Sequence, residues 1–552
     1  MDSSASILPA APDMTTNAPA ELSSVQVEKH TSKLEEIPAM SMKERIIIFI
    51  GIIVSTAIPR IGSDFNALDN AVWIATAYVL SFNAFQPLYG KFADIFGRKP
   101  TLLFGMAIFL TGSLLCGVSQ NIIMLVIFRA FQGIGGAGTF ALVFITVADI
   151  VPLHERGKYM GITNAVFAVS SVLGPLIGIL PLGFIAVVII VVYLKTPTPA
   201  GSLMQKLKRV DFPGTILIMS FATLFLLALN FGGITFPWTS APVIMCLVIA
   251  VSLVVVLALV ELKHAIEPII PSHLFKIRTI ATMYVMQWFF GMAYSAVVIE
   301  MPLFLQTIRG DSATVSGLRL IIMEAATFFS GTLSGYLISR FNHCHSFLTT
   351  GMVFLTVGVG LMSLLSEQTS DWLTYGSMFV FGIGAGCMFT CTIIAEQSAC
   401  DAKDLAVATS LGSFFQILGG AVGVAVCFTT LNNSLISRLS NVLPSDLVLP
   451  TIRSTAFLRE NLTLTQQHDA IACYVQSFAV LWYVLIPCAG LAFVASLFLQ
   501  TQIHSKEAMV VENDLAIAKN PTSHLNESDD WAVVNVLSGV VATDKMAVEN
   551  LA

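Results

Sequence analysis

Fourteen apolar runs, at about 46–59, 71–90, 100–118, 122–148, 159–180, 181–194, 211–232, 241–262, 279–302, 314–339, 347–366, 372–396, 405–431 and 473–500, constrain the architecture more than any single residue does. A hydrocarbon core of roughly 30 Å takes about twenty apolar residues as a helix. Helices and closed barrels are the structures that satisfy every backbone N–H and C=O there without water. Most of the runs reach that length. With 55% of its 552 residues hydrophobic and only 11% charged, the chain lacks the polar surface of a water-soluble globule. The expected fold class is an all-α polytopic membrane protein.

Two places strain the count. The run 46–59 would rise about 21 Å as a helix. The stretch 159–194 is too long for one span and barely enough for two, joined at Leu180-Pro181-Leu182-Gly183. Charge favours crossing at both. If all fourteen runs cross, the loops with Lys91, Arg98, Lys99, Arg156, Lys158, Lys195 to Arg209, Lys263, Lys276, Arg278, Arg340 and Lys403 share one face. The short connections opposite hold only Arg60 and Arg309. Basic residues in short loops stay on the cytoplasmic side, which places both termini there.

The expected organisation follows. Residues 1–44 are a disordered cytoplasmic tail and 45–194 an N-terminal helical bundle with shortened first, fifth and sixth spans. A basic cytoplasmic loop, 195–210, leads to an inserted helix pair, 211–262. A C-terminal bundle over 263–500 contains one long extracellular loop, 432–472, and 501–552 is a cytoplasmic tail. That loop carries the glycan-acceptor tripeptide Asn461-Leu462-Thr463; a second, Asn432-Asn433-Ser434, lies too near the bilayer to be a good one. The nine cysteines are scattered, with no metal-ligand spacing and no secreted framework. No nucleophile–base pair, metal cluster or phosphate loop appears, so neither an enzyme, a cofactor nor a metal is expected. A nucleic-acid surface has no support, because the net charge is −6 and the bases sit in short loops.

Between the second and third runs stands Gly90-Lys91-Phe92-Ala93-Asp94-Ile95-Phe96-Gly97-Arg98-Lys99, read as a short basic hairpin. Gly90 and Gly97 allow a turn or a close helix approach. Asp94 stands among three bases and can pair with one of them or sit at a helix N-terminus. The fourth run holds Arg129-Ala-Phe-Gln132-Gly133-Ile-Gly135-Gly136-Ala-Gly138. An arginine inside a membrane helix is costly, so Arg129 is expected to face a wet cavity or a carboxylate, with Gln132 on the same helical face. The fifth run holds Gly174-Pro175-Leu-Ile-Gly178, a proline bend with a small-x-x-x-small face.

In that order the three motifs resemble those of the major facilitator superfamily. Trp73 to Gly178 resembles its fourteen-helix drug:proton antiporter branch, and Ser410 to Gly423 fits helix thirteen of that branch. The segment Ala84-Phe85-Gln86-Pro87-Leu88-Tyr89-Gly90-Lys91 resembles the fungal members, among them multidrug exporters and vacuolar basic amino-acid transporters. The resemblance implies two six-helix bundles plus two inserted helices, rocking about a midplane cavity. It also implies residue roles. Gly90, Asp94, Gly97, Arg98 and Lys99 would form the cytoplasmic gate motif; Arg129 and Gln132 would serve proton coupling, with Glu324 as the candidate carboxylate; and Gly174, Pro175 and Gly178 would shape the antiporter helix.

The expected function is proton-coupled export of drugs, toxins or secondary metabolites. The partners are then a small amphipathic substrate, protons and the lipid bilayer. The plasma membrane is the expected location, with the vacuolar membrane as the alternative. Two departures keep other readings open. The first span lacks the family's acid before Ala57-Ile58-Pro59, and the connection between spans five and six is missing. A transport-inactive variant or sensor therefore stands beside a vacuolar basic amino-acid transporter. Carboxylates at membrane depth are functional candidates by default. Here they are Glu324, Glu396 and Asp149, whereas Glu300 is expected to be solvated near an outer boundary.

Overall fold

The computed structural model describes residues 72–151, 155–166, 179–194, 199, 201–233, 236–263, 267–341, 343–401, 403–453 and 455–499. Helices dominate them. In chain order they are α1 (Val72–Phe96), α2 (Arg98–Gly117), α3 (Ile122–Ile150), α4 (155–166), α5 (Ile179–Tyr193), α6 (Leu203–Lys208), α7 (Phe212–Phe231), α8 (Ala241–Lys263) and α9 (Ser272–Lys276). Then follow α10 (Arg278–Thr307), α11 (Ala313–Phe341), α12 (Cys344–Met362), α13 (Asp371–Ala399), α14 (Leu405–Leu439), α15 (Ser445–Arg453), α16 (Thr455–Glu460) and α17 (Leu464–Leu497). Ten of them are long and apolar enough to cross a membrane by length and composition. Helix α1, with 25 residues, is long enough but more polar, carrying Asn83, Gln86, Lys91 and Asp94.

Packing sorts the helices into two halves. In the N-terminal half α3 lies between α1 and α2, and α5 rests on α2. In the C-terminal half α13 lies between α11 and α12, while α10 packs on α14 and α17. Helices α7 and α8 pair with each other, and α7 leans on α1 and α14. The largest apolar core belongs to the C-terminal half, with Phe290, Phe304, Phe381, Phe478 and Trp482 fully buried. The glycines of the Arg129 run explain the tight centre of the N-terminal half. A Cβ at Gly133 would lie 2.4 Å from the Tyr78 carbonyl oxygen on α1, and one at Gly135 would lie 2.3 Å from the Phe109 nitrogen on α2. Helix α3 can touch both neighbours only because these side chains are absent.

The structure corrects four expectations. The basic stretch 90–99 is not a loop: α1 runs to Phe96, α2 starts at Arg98, and Gly97 alone turns the chain at φ 98°. That left-handed backbone is open to glycine at little cost. The joint at 180–183 lies inside α5 rather than between two spans. At 15 residues, α5 rises about 22 Å. The long loop is 440–463 rather than 432–472, since α14 continues to Leu439 and α17 begins at Leu464, with α15 and α16 between them. A capping box fixes the start of α17: Thr463 Oγ1 accepts from the Gln466 N–H, and Gln466 Oε1 accepts from the Thr463 N–H at 3.1 Å. Finally, Glu300 is 1% exposed, not solvated.

The tails, the first span at 46–59 and the motif residues Gly174, Pro175 and Gly178 lie outside the described residues.

Candidate functional site: the seams between the halves

The site begins at the gate stretch. Arg98, at the first position of α2, is held by two acids: its Nη1 donates to Asp94 Oδ1 at 2.5 Å, one turn back across Gly97, and its Nε donates to Asp149 Oδ2 at 2.6 Å, at the end of α3. Lys99 Nζ donates to the Val191 carbonyl of α5 at 2.8 Å. Asp94, Arg98 and Lys99 thus tie the ends of four helices of the N-terminal half to one another. Lys91 reaches outside that half, to Glu267 at 3.2 Å, and Glu267 also takes Arg209 Nε at 2.6 Å. Partial burial acts to raise the Glu267 carboxyl, but hydrogen bonds from Arg209 and Lys91 outweigh it and hold the group below the ordinary glutamate value.

Two seams join the halves at this level. In the first, α1 lies on α14. A Cβ on Gly90 would stand 2.5 Å from Ser410 Oγ and 2.8 Å from the Ala406 carbonyl oxygen. Deeper along this seam, Ala84 and Leu88 pack with Phe414 and Leu418. In the second, α4 lies on α11. A Cβ on either Gly157 or Gly335 would be 2.3 Å from the other's carbonyl oxygen, so the two backbones touch. Hydrogen bonds reinforce it: Thr332 Oγ1 donates to the Gly161 carbonyl at 3.0 Å, Asn164 Nδ2 to Thr390 Oγ1 at 2.7 Å, and the Lys158 N–H to Ser339 Oγ at 2.9 Å. Small residues permit such contact, and any larger side chain would wedge the halves apart.

Beyond the second seam lies Glu324. It is seven residues from Gly331 and eleven from Gly335, so all three share one stripe of α11 at helical spacing. The carboxyl is half-buried and accepts from Tyr294 OH at 3.3 Å. The Tyr294 ring stacks on Phe290 at 5.6 Å and on Phe381 at 6.3 Å, and meets Phe389 edge-on at 5.1 Å. A half-buried acid on a membrane-length helix, bonded to a tyrosine that itself sits among three phenylalanine rings, can hold a proton.

Arg129 is held by groups of its own half. Its Nε donates to the Ile74 carbonyl at 3.2 Å and its Nη1 to Gln132 Oε1 at 2.7 Å, and its guanidinium lies 4.7 Å from the Tyr78 ring centroid. Gln132 Nε2 passes the chain on to Ser113 Oγ at 2.7 Å. Among the described residues no carboxylate pairs with Arg129; a carbonyl, an amide and an aromatic face take its donors instead. Thus Arg129 and Gln132 are together, as their spacing implied, but apart from Glu324, which belongs to the other half. Asn461 is exposed in the 440–463 connection.

Sequence reasoning passed over Glu267, Asn164 and the Gly157–Gly335 contact. Gly157 and Gly161, four apart on α4, were the one local signal.

The comparisons with known proteins agree with this architecture. The chain is 32% identical over 401 residues to the efflux pump dotC of Dothistroma septosporum, covering 69% of this chain and 68% of that one. It is 30% identical over 464 residues to the MFS-type efflux pump MFS1 of Arthroderma benhamiae, covering 80% and 87%. It is also 30% identical over 481 residues to the multidrug resistance protein fnx1 of Schizosaccharomyces pombe, covering 83% and 91%. The family model described as Major Facilitator Superfamily matches residues 46–424. Paired helical halves meeting at small-residue seams and this match over most of the chain lead to one conclusion: the chain belongs to the Major Facilitator Superfamily and is a membrane transporter, not an enzyme.

Proposed function

We propose that the chain exports amphipathic small molecules, drugs or secondary metabolites, in exchange for protons by alternating access. The observation that carries this reading is the pair of backbone-tight seams at one level, Gly90 against Ala406 and Gly157 against Gly335, with Glu324 farther along the α11 stripe. At this level the halves touch through small residues, so parting here breaks few side-chain contacts, although Leu88 packs on Phe414 and Leu418 deeper along the first seam. Loosening both seams would open a path from the gate face to the midplane. The acid at Glu324 beside Tyr294 favours a substrate with positive charge, and the relatives named as efflux pumps or a multidrug resistance protein support export. In this scheme the gate residues Gly90, Asp94, Gly97, Arg98 and Lys99 latch the closed face. Arg129 and Gln132 bias protonation from the N-terminal half. Gly174, Pro175 and Gly178 make the fifth span pliable.

The test is efflux of a fluorescent cationic dye from cells expressing the chain, with and without a protonophore. A version with the first span and the five–six connection restored is measured beside it. Protonophore-sensitive efflux that falls to background in Glu324→Gln is expected, with the chain at the plasma membrane. Efflux indifferent to the protonophore would overturn proton coupling. No efflux by either version, although both reach the membrane, would overturn dye export.

A further inference from the structure

A second carboxyl in the C-terminal half lies outside the scheme just described. Glu396, near the end of α13, is 1% exposed, and its Oε1 accepts from Gln287 Nε2 on α10 at 2.7 Å. Gln287 is 2% exposed, and its own Oε1 is buried without a donor. Helix α14 closes the third side: a Cβ on Gly412 would stand 2.1 Å from Glu396 Oε1, so the carboxyl rests directly on the α14 backbone.

Among the described residues, no ion pair to Glu396 is found, and its hydrogen-bond partner is the Gln287 amide. From α10 comes Tyr284, whose OH donates to the Ala408 carbonyl of α14 at 3.3 Å. Beside Glu396 stand Cys400 and, just before α14, Asp404, whose carboxylate is 2.9 Å from His273 Nε2 of α9. Arg156 of α4 faces Cys400 and gives its guanidinium to the Ala148 and Val151 carbonyls.

An ionised Glu396 would leave a buried charge without a cation and an amide oxygen without a donor. A protonated one removes both faults. Its Oε1 keeps the bond from Gln287 Nε2, while its other oxygen, now O–H, can donate to Gln287 Oε1 in a cyclic acid–amide pair. We propose that Glu396 and Gln287 form a proton-binding site whose occupancy is read by α14 through Gly412. Loss of the proton places a full negative charge against the α14 backbone, two residues from Ser410 and six from Ala406, the residues that face Gly90 across the first seam. Proton release therefore loosens that seam. This last step rests on the proton-coupled reading above; the protonation itself does not.

The test uses the purified full chain in lipid nanodiscs and infrared spectroscopy of the protonated carboxyl stretch at neutral pH, in water and in heavy water. Expected is an acid band, shifted by deuterium, that is lost in Glu396→Gln and retained in Glu324→Gln. Glu396→Gln keeps a donor for Gln287 Oε1 and is expected to melt no lower than wild type. Gln287→Leu retains the acid and is expected to move the band to higher frequency by removing both hydrogen bonds. In proteoliposomes, accumulation of the dye driven by a pH gradient is expected to fall roughly tenfold in Glu396→Gln. A wild-type spectrum without a band assignable to Glu396, or a band unmoved by both variants, overturns the site. Unchanged pH-driven accumulation in Glu396→Gln overturns its link to α14. If wild type moves no dye, the transport reading fails while the infrared result still decides the site.

Discussion

The two halves handle charge in opposite ways. In the N-terminal half the acids stand at helix ends and are paired, with Asp94 and Asp149 sharing Arg98 at the gate face. The one charge described in its interior is Arg129, lying on Tyr78. In the C-terminal half three acids lie inside. Among the described residues, Glu324 meets only a tyrosine hydroxyl, Glu396 only an amide, and Glu300 has an oxygen with no partner near Cys427. Its ion-pair net, Arg309 and Arg319 with Asp311 and Asp371, ties the opposite ends of α10, α11 and α13. Burying a carboxylate without a cation is costly, so three such acids are an expensive feature for packing alone. The N-terminal half is thus organised around paired charges at its helix ends. The C-terminal half is organised to hold protons, a proposal that the contrast between the halves makes testable.

The contrast breaks most visibly at the seam shared by both halves. Gly335→Leu places a branched side chain where a Cβ already meets the Gly157 carbonyl oxygen at 2.3 Å. Dye efflux is expected to fall to background while surface expression stays near wild type. Efflux above half of wild type would mean the seam need not close.

A smaller effect is expected at the latch. Arg98→Ala leaves Asp94 and Asp149 facing each other without their cation, and the pair is half-buried. The loss should fall between the roughly 0–1 kcal/mol of an exposed bridge and the 3–5 kcal/mol of a broken buried one. Efflux is expected to drop several-fold, with faster proteolysis at the gate face, and Asp94→Asn/Arg98→Ala is expected to recover part of it. If the double variant is no better than Arg98→Ala, the uncompensated acid is not the cause.

Smaller still is Glu267. Its folded-state value is lowered, so its contribution is fully present above the ordinary glutamate value of 4.5 and is lost as pH falls through the lower, folded value. The bridges are partly exposed, so the effect on stability should stay under about 1 kcal/mol. Proteolytic protection of the 201–210 segment is expected to weaken in acid for wild type and to be weak and flat with pH in Glu267→Gln. Least of all, Asn461→Gln is expected to abolish a glycosidase-sensitive mobility shift without changing efflux, which would fix the exposed 440–463 connection outside the cell.

Much of the fold was legible because membrane helices declare themselves by length and apolarity, and the gate stretch by residue types that have few other uses. Arg98 and Asp94, four apart across a glycine, form the pair their spacing suggests. Helix ends were less legible. The apolar runs stop at the hydrocarbon boundary, whereas α1 and α14 continue beyond it; Thr463-x-x-Gln466 was the local signal that marked the true start of α17. Least legible were partners distant in sequence. Gln287 and Glu396 lie 109 residues apart, and Lys158 and Ser339 181 apart. Helices that are apolar on all sides give no periodicity to say which face meets which neighbour. Glu300 was misplaced for that reason: its position along α10 was readable, its direction toward the core was not.

The most direct measurement of the central claim is a reversible cross-link across the second seam. Lys158→Cys with Ser339→Cys joins α4 to α11 where the Lys158 N–H meets Ser339 Oγ at 2.9 Å, in a background whose nine native cysteines are replaced. If transport requires the halves to part at this face, oxidation will reduce dye efflux to background and a reductant will restore it. Full cross-linking with undiminished efflux would contradict that requirement.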